Sequence, residues 1–298
     1  MRRNSLGPID ILGITLGSIV ILIVIVGAIL VARFGVLRGG AWGWSWNPGN
    51  RVEENWGGAG QREEKDQTVT GSFREVEIRT VAGEISVSSG SASGVQVHSV
   101  KTAPSLAALQ AIQVQIEPQG DRLVIQEKRD MPPLRSGPIS YSVQIPAGVK
   151  SIVAHSVSGS ITLNTDPGIE QRLDTISGSI STSIASDLHA SSTSGMIRFA
   201  STGRTVDLRT VSGAIEGRIE SLEAGGSVNA GSVSGSVDLS AFPALDASIN
   251  LHSVSGSVSC AFPVTVSQQK NNTLQGQIGR GSASIDVGTV SGSIDIRK

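Results

Sequence analysis

Apolar and polar residues alternate around a recurring glycine over most of the chain, as in TVSGSIDI at residues 289–296. Copies of this phrase are centred on eight glycines: Gly83, Gly159, Gly178, Gly195, Gly213, Gly235, Gly256 and Gly292. From Gly159 the spacings are 19, 17, 18, 22, 21 and 36 residues, and Gly276 is a plausible degenerate centre within the last one. A period of about 16 to 22 residues is the size of one coil of a β-solenoid.

Aligning the copies on the glycine separates inward from outward positions. The residue two after the glycine is Ile or Val in all eight copies: Ile85, Ile161, Ile180, Ile197, Ile215, Val237, Val258 and Ile294. The residue two before it is also stiff, as in Val81, and positions five and seven before it are mostly apolar, as in Leu208 with Val206. Positions five and two before the glycine differ in parity, so the chain must turn between them if both face inward. We therefore predict two short strands and a corner in each unit.

Serine precedes the glycine in seven of the eight copies. On the other side of the glycine, the first copy has Glu84, and no other copy has a glutamate there. A serine hydroxyl bonds nearby backbone readily, and glycine adopts the angles that a corner needs. In a stack, equivalent residues lie about 4.8 Å apart, and small residues let the backbones pass closely. The phrase lacks the lysine and the following helix of a phosphate-binding loop, so it predicts a structural corner.

Residues 94–146 interrupt the period. They predict a strand at 95–101, a helical turn around SLAALQ, strands at 112–117 and 122–128 joined by PQGD, and a strand at 139–146. We predict that this insertion caps one end of the stack. Arg297 and Lys298 would blunt the other end.

The amino end predicts a membrane anchor. Residues 11–32 contain no charge, and 22 residues suffice to span about 30 Å of hydrocarbon. The apolar part of a cleaved signal peptide is shorter, and no A-x-A site follows, so an uncleaved anchor behind a short tail at 1–10 is favoured. The flanking arginines are nearly balanced, so composition and family likeness favour a carboxy-terminal domain outside the cytoplasmic membrane.

Residues 33–67 predict a juxtamembrane linker rich in Trp and Gly, and the solenoid domain follows at 68–298. Trp42, Trp44 and Trp46 lie where interfacial rings anchor a chain at headgroup depth, and a ligand-stacking platform is the alternative. The mixed-charge run REEKD is typical of a flexible, solvated linker.

Composition excludes several classes. With 16% charged and 39% hydrophobic residues, the chain is neither disordered nor an all-apolar membrane protein, and 3% aromatic residues imply an aliphatic core. A net charge of −1 offers no basic face for nucleic acid. Cys260 is the only cysteine, so no internal disulfide or multi-thiolate zinc site is expected.

The order of motifs resembles a known family. A TVAGEISV unit, a VQVHSVK strand, a paired section with GDRLVI, a YSVQIPAGV strand and then serial SVSGSI units are similar to the putative-adhesin β-strand-repeat family, also called the Toastrack type. The likeness covers residues 68–298. It implies a bacterial β-solenoid, commonly membrane-tethered and associated with envelope stress, with no catalytic motif to transfer.

Candidate chemistry is sparse. His98, His155, His189 and His252 are scattered; His155 and His252 share a repeat position but lie about five units apart, too far to share a metal. Three residues after the glycine, Arg198 and Glu216 predict an ion pair between neighbouring coils, and Asp238 and Asp295 continue the same outward column. Glu216 with Asp238 could instead hold a cation or begin an acid/base pair. The calcium repeat and the GxSxG elbow are missing from the sequence, so we predict no catalytic, cofactor or metal residues.

Three function classes remain open. The first is a non-enzymatic scaffold tethered to the cell membrane, adhesin-like or stress-sensing, that binds an envelope protein or glycan. The second is a solenoid that self-associates end to end as a polymer. The third is a carbohydrate-active β-helix enzyme.

Overall fold

A computed structural model describes residues 60–129 and 137–298, and this part of the chain is all-β, mostly strands in one large mixed sheet. The one helix among these residues is α1 (Leu106–Gln110). The strands are β1 (Gln61–Thr70), β2 (Glu75–Ala82), β3 (Ile85–Ser89), β4 (Gly94–Ala103), β5 (Ile112–Gln119), β6 (Arg122–Arg129), β7 (Ile139–Ile145), β8 (Ser151–Ser158), β9 (Ile161–Asn164), β10 (Glu170–Thr175), β11 (Ile180–Ser192), β12 (Ile197–Thr210), β13 (Ile215–Ile219), β14 (Ser227–Ser232), β15 (Val237–Ala241), β16 (Ala247–Ser253), β17 (Val258–Cys260), β18 (Thr265–Lys270), β19 (Thr273–Ile278), β20 (Ala283–Thr289) and β21 (Ile294–Arg297).

The predicted anchor and most of the predicted linker lie outside the described residues. Between residue 60 and the end of the chain, leaving aside 130–136, no helix is both long and apolar enough to cross a bilayer.

Strand pairing divides the sheet into two ladders that meet at the glycine corners. The first ladder runs β5–β6–β2–β8–β10–β11–β12–β14–β20–β16–β19–β18. The second ladder runs β1–β4–β7–β3–β9–β11–β12–β13–β15–β21–β17. In the middle of both ladders neighbouring strands run parallel. Antiparallel pairs occur at both ends of the first ladder and at the β1 end of the second. The long strands β11 and β12 contribute to both ladders, and β11 bends through register shifts at Ala185.

The coils do not stack in chain order. The last coil, β20 with β21, lies between the coil of β14 and β15 and the coil of β16 and β17. The first coil, β2 with β3, likewise lies between β6 with β7 and β8 with β9. Each of these two coils is therefore hydrogen-bonded on both sides.

Two predictions about the carboxy-terminal end are wrong for this reason. Gly276 is not a corner; it lies in β19, which pairs antiparallel with β16. Arg297 and Lys298 do not blunt the stack, because their coil is the penultimate one. The hairpin of β18 and β19 covers the first ladder at this end instead.

The predicted elements of the insertion at 94–146 are present as β4, α1, β5, β6 and β7. Strands β6 and β7 run parallel to β2 and β3 as a further coil. Strand β5 pairs antiparallel with β6, and β4 pairs antiparallel with β7, so both cover that end of the stack. The predicted linker ends too late, because residues 61–67 belong to β1. This strand forms through pairing with β4 and ion pairs such as Glu63 Oε1 to Lys101 Nζ at 2.7 Å, which its own charged sequence does not reveal.

The position two after the glycine is core, as predicted. Seven of its eight residues, from Ile85 to Ile294, are at most 1% exposed, and only Val258 is half-buried. Positions five and seven before the glycine are also buried. The position two before it is half-buried or exposed, so its predicted inward direction is wrong. The chain instead buries a hydroxyl three residues before each glycine: Thr80, Ser156, Thr175, Ser192, Thr210, Ser232, Ser253 and Thr289.

Most of these buried hydroxyls bond the glycine carbonyl of the adjacent coil. Ser192 Oγ donates to Gly178 O at 3.1 Å, and Ser253 Oγ donates to Gly292 O at 2.9 Å. The same bond joins Thr175 to Gly159, Thr210 to Gly195, Ser232 to Gly213, and Thr289 to Gly235. A hydrogen bond offsets the cost of burying a polar group in an aliphatic core, and here it also holds neighbouring corners together. Ser156 Oγ is the exception, because it is buried without a partner.

Close approach of the backbones explains the repeated glycine. A Cβ on Gly213 would lie 2.1 Å from Gly195 O, and one on Gly159 would lie 1.8 Å from Gly83 O. Among the eight corner glycines only Gly83 has a positive φ, +120°. Seven of the corners therefore need glycine for space and not for an unusual backbone angle.

Candidate functional site

The outward face of the second ladder carries a charged stripe, which we define as Arg198, Glu216, Asp238 and Asp295. These residues are directly opposite one another on β12, β13, β15 and β21. They point outward because the residue before each of them faces the core and side chains alternate along a strand. The stripe thus places four charges at intervals of about 4.8 Å.

Ion pairs hold the stripe. Arg198 Nε lies 2.9 Å from Glu216 Oε2, which confirms the predicted pair between neighbouring coils. At the other side Arg297 contacts Asp238 and Asp295, with 3.1 Å from its Nε to Asp295 Oδ2. Surface pairs of this kind contribute roughly 0.5 kcal/mol each, so their main effect is to fix side-chain positions. Glu216 and Asp238 are each paired with an arginine.

Two histidines face outward on the first ladder beside aspartates that the sequence did not single out. His155 Nδ1 lies 3.3 Å from Asp174 Oδ2, without the alignment of a hydrogen bond. The Ser191 hydroxyl donates to the other oxygen of Asp174. The aspartate therefore stands between serine and histidine, whereas a nucleophilic serine needs the histidine in the middle.

The other histidines are dispersed. His189 Nδ1 lies 3.9 Å from Asp207 Oδ2, and Arg209 also contacts that carboxylate at 3.1 Å. His98 pairs with Asp66 of β1 at 2.7 Å. His155 and His252 are six steps apart in the stack, one more than predicted, because the coil of β20 and β21 is inserted between them. Within 60–129 and 137–298, no three His, Cys, Asp or Glu residues are placed to hold a metal ion.

A chain of amides crosses the first ladder near its carboxy-terminal end. Gln275 Nε2 donates to Asn250 Oδ1, and Asn250 Nδ2 donates to Asp286 Oδ2, both at 2.9 Å. The two amides line a shallow cleft of about 470 Å³ together with Ser248 and Ser267. This arrangement offers oriented donors and acceptors to a polar ligand, and the repeat alignment did not reveal it because β18 and β19 break the period.

A buried polar cluster lies at the other end of the stack. Arg129 Nη2 lies 2.7 Å from Glu127 Oε2, and both side chains are at most 7% exposed. Burial raises the pKa of the Glu127 carboxyl, although Arg129 and the Val81 N–H oppose the shift. Burial, and then the charge of Glu127, raise the pKa of the Tyr141 phenol. The inward direction of Glu127 and Arg129 follows from alternation with buried Leu123 and Ile125, a signal that the sequence does contain.

The family is settled by a match to a family model. The model described as Toastrack DUF4097 matches residues 133–297, which is more than half of the chain. The chain belongs to this family. The resemblance stated from the repeat motifs is thereby confirmed.

Solved structures give weaker likenesses. A putative adhesin from Bacteroides fragilis is 13% identical, covers 79% of this chain and 97% of its own, and superimposes with a TM-score of 0.43. A putative lipid binding protein from Parabacteroides distasonis is 12% identical, with 80% and 97% covered and a TM-score of 0.43. A putative cell adhesion protein from Clostridium sporogenes is 11% identical, with 80% and 99% covered and a TM-score of 0.36. No curated protein matches the chain.

Proposed function

We propose that this chain is a non-enzymatic binding scaffold of the bacterial cell envelope, in which a membrane-tethered β-solenoid presents a rigid outer face to a protein or glycan partner. The charged stripe carries the proposal. Its charges sit on strands that are hydrogen-bonded on both sides, and arginines at both of its sides hold the carboxylates in place. Pre-positioned polar groups lose little conformational freedom on binding, which favours recognition.

The tether is the second part of the proposal. Residues 11–32 form a single membrane span, residues 33–60 connect it to the sheet, and the sheet lies outside the cytoplasmic membrane as an adhesin-like or stress-sensing module. The uncharged length of the span and the Trp-rich segment that follows it support the membrane span. The extracytoplasmic position of the sheet rests on composition and family likeness.

The arrangement of the carboxylates favours binding over glycan cleavage. A pair of catalytic carboxylates faces the scissile bond from two sides, about 5 to 9.5 Å apart. Glu216 and Asp238 instead lie next to each other on one face, and each is ion-paired with an arginine.

Crosslinking in native membranes tests the stripe. We expect the full-length chain to be recovered with a crosslinked partner, and Glu216→Lys with Asp295→Lys to lose most of that product without loss of the folded chain. The control is Arg172→Glu, which reverses a charge of similar exposure on the first ladder. Equal recovery of the partner by both variants would contradict a role for the stripe.

Two further measurements test the remainder of the proposal. Protease treatment of intact spheroplasts should degrade the sheet, and full protection would contradict an extracytoplasmic position. The purified full-length chain should not turn over a glycan. Reproducible turnover that is lost in Glu216→Gln would overturn the non-enzymatic assignment.

A further inference from the structure

The second ladder ends at β17 without a covering strand in the described part of the chain. In each of the seven preceding coils that have a corner glycine, the N–H two residues after the glycine donates to a carbonyl of the next coil at 2.9–3.0 Å, from Ile85 N to Ser160 O through to Ile294 N to Ser257 O. Val258 occupies the same position in the last coil. Among residues 60–129 and 137–298 no further coil follows it, and within these ranges β17 pairs only with β21.

The core is also incomplete at this end. Residues in the column of Val258 are at most 1% exposed in all other coils, but Val258 itself is half-buried. Cys260 is half-buried where Ile296 and Leu239 of the preceding coils are fully buried. Val254 is 49% exposed, whereas the equivalent residues of the other coils are half-buried. One further strand paired with β17 would shield the side chains of Val258 and Cys260.

The free backbone groups can be assigned from the bonds on the other side of β17. Ser257 O accepts from Ile294 N at 2.9 Å, and Ala261 N donates to Ile296 O at 2.8 Å. Because backbone groups alternate in direction along a strand, Ser259 also faces β21, and the N–H and C=O groups of Val258 and Cys260 face the open edge. The missing strand must therefore pair at these two residues.

The other three strand edges are protected against pairing. The outer strand β1 carries the charged run REEKD, β5 contains Pro118, and β18 has a register shift after Val266 and ends at Lys270. Charges, proline and bulges are devices that keep sheet edges from associating. Head-to-tail addition of copies would require one of these protected edges to receive β17.

We propose that the open edge of β17 is a homodimer interface, at which β17 of a second copy pairs antiparallel about a two-fold axis through Ser259. In this register Val258 lies opposite Cys260 of the second copy and Cys260 lies opposite its Val258, so four backbone hydrogen bonds form. The residues of β17, VSC, alternate apolar, polar and apolar. An added strand with this pattern places its two apolar side chains on the core side, next to the half-buried core positions. A two-fold interface closes after two copies, because the same surface is used on both.

The register predicts a crosslink at the axis. Residues opposite one another at a non-hydrogen-bonded antiparallel position have Cα atoms about 4.5 Å apart, which is within disulfide range. In a Cys260→Ser background, Ser259→Cys should convert most of the full-length chain in mild detergent to a disulfide-linked dimer on gentle oxidation. The matched control is Ser181→Cys in the same background, an exposed residue of the same column whose strand is paired on both sides. It should remain monomeric.

An edge-blocking variant tests the free backbone groups. Cys260→Pro removes an N–H that faces the open edge, so the chain should keep the circular dichroism spectrum of the folded sheet but sediment as a monomer, at half the molar mass of the parent protein. Ser259→Pro removes a bond to β21 and should lower the melting temperature.

The proposal is overturned if the parent chain sediments as a monomer, or if Ser259→Cys crosslinks no faster than Ser181→Cys. Ladders of higher multiples would show that a protected edge pairs, and a crosslink to a different protein would show another occupant. Either result would reject the closed dimer. Ser259 lies beside Asp295 of the stripe, but this test measures contact between two copies of the chain, so failure of the stripe to bind a different partner leaves its outcome unaffected.

Discussion

The hydroxyl of Thr210 donates to the carbonyl oxygen of Gly195 in the adjacent coil, at 3.4 Å. Thr210 is 1% exposed, so this bond lies inside the aliphatic core. Equivalent bonds recur at five other corners, where they explain the Thr or Ser three residues before the glycine. Ser156 Oγ, at the corner of Gly159, is buried without such a bond.

Thr210→Val should therefore lower the free energy of unfolding of the full-length chain by about 1–3 kcal/mol, because the buried Gly195 carbonyl loses its donor while the side-chain volume is kept. Thr210→Ser retains the hydroxyl and should recover part of this loss. Denaturant unfolding monitored by circular dichroism measures both. A Val variant as stable as the parent would show that the hydroxyl contributes nothing.

Gly213→Ala should destabilise more strongly than substitution of the residue beside it. The added Cβ would lie 2.1 Å from Gly195 O, so the two corners would have to separate. The control Ser212→Ala changes an exposed side chain in the same phrase and should stay within about 0.5 kcal/mol of the parent. Similar melting temperatures for the two variants would contradict the close approach of the backbones.

Ile215→Asp should prevent stable folding of the stack, because an unpaired carboxylate would be buried in a fully buried column. Asp238→Ser removes only a partly exposed ion pair with Arg297 and should change stability by less than about 1 kcal/mol. Thermal unfolding of both variants distinguishes the inward from the outward column. A reversed order of stability would refute the assignment of faces.

The Asp246 carboxylate should make the stability of the folded chain depend on pH in the acidic range. Partial desolvation acts to raise its pKa, but backbone N–H groups of Ser282, Arg280 and Gly281 and the Ser282 hydroxyl outweigh it and hold the pKa below its ordinary value. The group therefore contributes stability that is fully present above its unfolded pKa of about 3.9 and is lost as pH falls through the lower folded pKa.

Asp246→Ala should accordingly melt at a lower temperature than the parent at pH 7, and the difference should shrink as the pH falls below about 3.9. Asp286→Ala removes a carboxylate that bonds the Asn250 side chain instead of a turn, and it serves as the control. A difference for Asp246→Ala that is constant with pH would contradict the role of the ionised carboxylate.

Much of the architecture follows from the sequence alone. The invariable Ile or Val two residues after each glycine fixes which face is buried, because a strand cannot leave an apolar column in water without cost. Glycine and serine at the corner, the strand order of the insertion and the pairing of Arg198 with Glu216 follow from alternation and spacing in the same way. Each of these depends only on neighbours that the repeat itself specifies.

Tertiary structure alone decided the stacking order and the parts that depend on it. Nothing local distinguishes the coil of Gly292 from that of Gly256, since both offer the same column of side chains, and the choice depends on where the hairpin of β18 and β19 folds back. The same holds for β1, whose charged residues become a strand only beside β4, and for the contact of Arg297 with Asp238, which requires the inserted order. Which backbone edge stays open is set by the order of the whole stack. A repeat specifies how neighbours fit, and the non-repeating segments determine which neighbours meet.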